Sequence, residues 1–89
     1  MTFDRPIHKA EAHNRNKRAI QNRICMIGWS GVTHRAVELA NGMKMTQAEF
    51  WTLLEHVARD NHRRTSEERW YNRVREANLR AYELTREDI

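Results

Sequence analysis

The chain has 89 residues, 39% hydrophobic and 31% charged, with 16 Lys and Arg against 12 Asp and Glu, a net charge of +4. That length fits one domain with a modest core, and the content of Ile, Leu, Val, Met and Trp is too high for a disordered chain. A single cysteine excludes an intramolecular disulfide and points to a reducing compartment, and no apolar run approaches the roughly 18 residues of a membrane span. Residues Met1–Lys9 lack the charged-then-apolar layout of a signal peptide, so the expected location is the cytoplasm, with no membrane contact.

In chain order, the punctuation predicts four helices at about 6–27, 33–41, 46–62 and 66–84. The fold class they define is all-α, a compact single-domain bundle. Pro6, with its fixed φ, suits the first turn of the first helix, with Asp4 as a cap. Gly28, Ser30 and Gly31 are expected to end that helix around Trp29, because glycine reaches positive φ cheaply. Thr33 is read as the cap of the short second helix, whose apolar side is Ala36, Val37, Leu39 and Ala40 and whose stop is Asn41-Gly42. Thr46-Gln47-Ala48-Glu49 fits a capping box, in which hydroxyl and carboxylate each satisfy an orphan backbone N–H. Phe50, Trp51, Leu54, Val57 and Ala58 follow at helical spacing. Thr65-Ser66-Glu67-Glu68 reads as a second capping box, opening a helix that aligns Trp70, Val74, Ala77, Ala81 and Leu84 at alternating steps of four and three. Residues 85–89 are expected to fray. No segment alternates as a strand does, and no internal repeat or low-complexity tract is present.

The charge is unevenly placed. Residues 1–29 carry six Lys and Arg against two acids, and residues 59–80 carry seven against four. In the first helix the apolar stripe Ile20, Ile24, Ile27 occupies only the second half. The first half, a basic arm over about 6–19, is therefore expected to project into solvent or onto a partner. Its cations Arg15, Lys17 and Arg18, continued by Arg23, suit phosphate contacts, and the amides Asn14, Asn16 and Asn22 suit base edges. The second basic region runs through the turn between the third and fourth helices, with Arg63 and Arg64. It continues on the fourth helix, where Arg69, Arg73 and Arg80 fall at spacings of four and seven and share a face. Glu76 can serve as their counter-ion within the helix, which makes a purely solvated surface an equally good reading of these charges.

Comparison of the second and third helices with a helix-turn-helix fails on chemistry. A recognition helix exposes polar or basic residues at its start, whereas this one offers Thr46, Gln47, Glu49, Thr52 and Glu55, whose carboxylates repel phosphates. Catalysis finds no constellation either. The histidines His8, His13, His34, His56 and His62 form no i, i+4 pair and no HExxH-type spacing, so no metal site or cofactor is expected. Cys25, one residue from the Ile24 stripe, reads as a small buried hydrophobe. The glycines at 28, 31 and 42 stand apart and form no phosphate loop.

Trp51 and Trp70 lie on apolar stripes and are expected in the core. Trp29 between glycines, and Tyr71 and Tyr82 beside the arginines of the fourth helix, are expected to be exposed, as aromatic anchors of an interface. Two functions follow as expectations. The first is a non-enzymatic binding protein that contacts nucleic acid or a nucleoprotein through its basic helical faces. The alternative is a small accessory protein, of the kind phages and mobile elements use, that binds and inhibits or adapts a host protein complex by setting an Arg/aromatic surface on an acidic one. A second copy of the chain is a further partner the seam of the fourth helix could take.

Overall fold

The computed structural model describes the backbone of residues 4–87 and the side chains of residues 11–86. Four helices follow one another: α1 Asp4–His34, α2 Ala36–Gly42, α3 Gln47–Thr65 and α4 Glu68–Glu87. No strand occurs among the described residues. The molecule is an all-α bundle, as the spacing of its apolar residues requires. The side chains of Asp4 and His8 lie outside the described residues.

The central element is α3. It buries Phe50, Trp51, Leu53, Leu54, Val57 and Ala58, more of its circumference than the single stripe of a surface helix. Its N-terminus is the capping box expected from sequence: Thr46 Oγ1 accepts from the Glu49 N–H at 3.1 Å, and Glu49 Oε1 accepts from the Thr46 N–H at 3.0 Å. The bond from the Thr46 N–H, and then the Thr46 side chain, hold the Glu49 carboxyl below its ordinary value.

The second capping box does not form. Helix α3 runs to Thr65, three residues beyond the expected end, so Thr65 closes α3 instead of opening α4. Its hydroxyl donates to the Asn61 carbonyl at 2.8 Å and accepts from the Glu67 N–H at 3.3 Å. Ser66 takes the left-handed conformation, φ 59°, and the chain turns within two residues into α4. This hairpin is the main packing unit of the fold. Trp70, Ala77, Ala81 and Leu84 are buried along α4, with Val74 packed at the edge, so the four-three stripe read from sequence is the face set against α3. Two alanines on that stripe let the helix axes approach closely.

The break expected after Ile27 is present: Gly28 leaves helical geometry at a positive φ, 81°, with ψ 166°. The departure lies after it, since no turn surrounds Trp29 and the chain resumes helix at once, to His34. That region of φ/ψ is essentially restricted to glycine. Ser30 and Gly31 stay helical. The hydroxyl of Thr33 donates back to the Ser30 carbonyl at 3.1 Å and caps nothing. The second helix instead starts after Arg35, which makes no side-chain cap bond. The left-handed residue after α2 is Lys44, φ 57°, not Gly42. On α2, Ala36 and Ala40 are buried, but Val37 is 52% exposed. Ile20 and Ile24 are buried, while Ile27, last of the expected stripe, is at the surface because the kink follows it.

Candidate nucleic-acid and protein interface

Three polar contacts decide how the basic regions are displayed. Lys17 Nζ pairs with Asp60 Oδ2 at 2.8 Å, joining α1 to α3. The lysine hydrogen bond lowers the Asp60 carboxyl, against some opposing burial. One turn further along, Gln21 Oε1 accepts from Asn61 Nδ2 at 2.8 Å, and Asn61 Oδ1 accepts from Arg64 Nη2 at 2.6 Å. Asn61 is 3% exposed, so this chain of amides and guanidinium completes the hydrogen bonding of a polar residue that would otherwise be expensive to bury. It also fixes Arg64 near the α1 arm. The arm is therefore not free along its whole length: Asn16 and Lys17 are half-buried, and His13 stacks edge-on against His56 of α3, with ring centroids 5.3 Å apart.

The two basic regions, more than forty residues apart in sequence, meet at one groove of about 220 Å³ lined by Lys17, Arg18, Gln21, Asp60, Asn61 and Arg64. Three cations thus line the groove with one carboxylate, and the exposed Arg63 outside it also acts on Asp60. At 100° per residue Asn14 shares the Arg18–Gln21 flank of α1. Asn14, Arg15, Arg18 and Asn22 are exposed. Two members of the expected arm point elsewhere. Asn16 lines the cleft that holds His13 and His56, and Arg23 lies beside Ile20, Val32, Leu39 and Phe50, against α2.

The α4 arginines divide differently. Arg69 Nε pairs with Glu67 at 2.8 Å. Arg73 lies 4.5 Å over the Trp70 ring and 5.5 Å from the Trp29 ring, and burial, with Arg69 nearby, lowers its pKa. The expected exposure of Trp29 is corrected: it is 6% exposed, packs edge-on against Trp70 with centroids 6.2 Å apart and donates from Nε1 to Glu76 Oε1 at 3.1 Å. The resumed helix after Gly28 carries the indole inward, so Trp29 is a core residue and not an anchor. Glu76 accepts from that indole, and its charge also favours the charged form of Arg73, as expected of a counter-ion within the helix. Arg80 is half-buried. Cys25 is exposed, not buried, because it stands one residue, or 100°, off the Ile24 direction. Glu55, expected on the open face of the third helix, is 8% exposed. It accepts from Arg59 at 2.5 Å and from Asn78 of α4 at 3.0 Å.

Tyr71 and Tyr82 are exposed, as expected, at 51% and 60%, and Leu79 joins them at 59%. The arginines beside them are not those singled out from sequence. Tyr71, Arg75 and Leu79 follow at steps of four on the exposed side of α4, with Tyr82 and Arg86 alongside, and the Tyr71 ring at the edge of this stripe lies 5.9 Å from that of His62 at the end of α3. Arg86 lies 5.8 Å from the Tyr82 ring. The spacing Tyr71-Arg75-Leu79 is legible in the sequence at steps of four. Gln21 and Asn61 carried no such signal, because their pairing exists only in the fold.

Among the described residues no helix is long and apolar enough to cross a membrane. The chain matches no family model, no curated protein and no solved structure.

Proposed function

We propose that this is a non-enzymatic binding protein that contacts nucleic acid, or a nucleoprotein, across the groove between α1 and the α3–α4 corner. The observation that supports this reading is the convergence of Lys17, Arg18 and Arg64 on one groove beside the carboxylate of Asp60, on which the charge of Arg63 also acts. Guanidinium and ammonium groups at this density suit adjacent phosphates. The exposed amide of Asn14, on the Arg18–Gln21 flank of α1, is available to base edges or sugars, and Asn22 is exposed one turn beyond Arg18. Lys17 contributes less than its neighbours, since its ammonium is engaged by Asp60.

The test is a titration against mixed-sequence duplex DNA, single-stranded DNA and structured RNA at two salt concentrations. Four phosphate contacts imply a fall in duplex affinity of about a hundredfold for a fourfold rise in salt. Arg18→Glu with Arg64→Glu abolishes binding, whereas Arg75→Glu leaves it unchanged. Affinity independent of salt, or binding that survives the double reversal, defeats the proposal.

A second reading has its own support in the Tyr71, Arg75, Leu79, Tyr82 and Arg86 stripe, an exposed mixture of rings, aliphatic surface and cations of the kind that anchors protein interfaces. On this reading the partner is an acidic protein surface, such as a host complex met by a small accessory protein. Capture of one defined protein from nuclease-treated lysate is then lost with Arg75→Glu and Tyr82→Ala and retained with Arg18→Glu; the reverse pattern excludes it.

A further inference from the structure

His13 of α1 and His56 of α3 face each other at the cleft of about 450 Å³ that Asn16, Glu49 and Thr52 also line. Their ring centroids are 5.3 Å apart, with planes inclined at 67°. Two imidazoles that share one tetrahedral ion at metal–nitrogen distances of about 2.0–2.1 Å hold their centroids about 5 Å apart. The helices already provide that separation. The His13 side chain is exposed and that of His56 half-buried, so an ion can reach the pair from solvent.

We propose that His13 and His56 form a two-histidine site for a divalent transition-metal ion of the zinc type, which ties the basic arm of α1 to α3. Imidazole nitrogens favour zinc, nickel and copper over magnesium and calcium, whose preferred donors are oxygens. Among the described residues no group of three or more His, Cys, Asp or Glu side chains converges. Water therefore completes the coordination, and the ion exchanges readily, unlike one in a closed four-ligand site. Ligation needs neutral rings. The nearest like charge, Lys17, is held by Asp60, which softens its repulsion of an incoming cation. Glu49 is the carboxylate lining the same cleft. The site is independent of the nucleic-acid reading, since its ligands are not those of the basic groove.

The experiment is calorimetric titration of the tag-free full chain with Zn²⁺ alone, repeated with Co²⁺ to follow the visible absorption of a four-coordinate ion, and with Mg²⁺ as control. One Zn²⁺ binds per chain, the thermal midpoint rises with ion concentration, and binding weakens as pH falls because protons compete for the imidazoles. His13→Gln and His56→Gln each lose about tenfold or more in affinity, while His34→Gln and His62→Gln leave it unchanged. Circular dichroism checks that each variant is folded; if His56→Gln is not, the exposed His13→Gln decides alone. No saturable binding, unaltered affinity in His13→Gln, dependence on His34 or His62, or one ion per two chains would each overturn the proposal.

Discussion

Glu55 and Trp29 show how single polar atoms are placed in this small core. Glu55 is held by Arg59 on its own helix and by Asn78 across the hairpin, so Asn78→Ala removes a partner from a carboxylate with little access to water. A loss of about 1–3 kcal/mol is expected, read as a lower urea midpoint at unchanged slope. For Trp29 the indole N–H and the ring can be separated. Trp29→Phe removes the bond to Glu76 and costs about 1 kcal/mol, whereas Trp29→Ala also empties the space against Trp70 and costs about 3–5 kcal/mol. Equal losses in the two variants would mean that ring packing contributes nothing. Two titrations act in separate pH windows. The His13 pKa is lowered from the ordinary value of 6.5, so below that value the unfolded chain binds the proton more readily and stability falls as pH falls. The Asp60 pKa is lowered from 3.8, so its contribution is present above that pH and is lost as acid protonates the folded carboxylate. A metal-free pH series of unfolding measurements on His13→Gln therefore flattens below the ordinary histidine value of 6.5 while keeping the acid limb.

At the scale of the helices, the ends and the kink were unequally legible. The box at Thr46 and Glu49 involves residues three apart that satisfy one another, so it could be read directly, and Thr46→Ala is expected to cost about 1 kcal/mol. Thr65 to Glu68 has the same pattern, but Thr65 is used at the end of α3 because its backbone continues the helix that Val57, Ala58 and Asn61 bury. A local motif cannot tell which of two helices will claim a residue on their boundary. Gly28 is similar. Its composition announced a break, but whether the chain reverses or kinks depends on where Trp29 finds apolar surface. Space around Gly28 is open, with nothing within 4 Å of where a Cβ would stand, yet Gly28→Ala is strained by its φ of 81°. A loss of about 1–3 kcal/mol is expected, with altered tryptophan fluorescence as Trp29 leaves Trp70. A variant with wild-type stability and fluorescence would show that the kink does not place the indole.

For the whole molecule, the sequence by itself determined the class of fold and the surplus of positive charge. Apolar spacings of three and four fix which face of a helix avoids water, and charge is a property of composition. The stripe from Trp70 to Leu84 and the inward Ile20, Ile24 and Phe50 were visible for that reason. Only the tertiary structure decided which charges act together. Packing α1 across α3 brings Lys17 and Arg18 to Arg64 through Gln21, Asp60 and Asn61, and brings His13 to His56. It also removes Trp29 from the surface and withdraws Arg73 onto two indoles. Helical periodicity records the direction of a side chain about its own axis, whereas a shared groove depends on the crossing of two axes, and that crossing is set by the summed burial of side chains far apart in the chain.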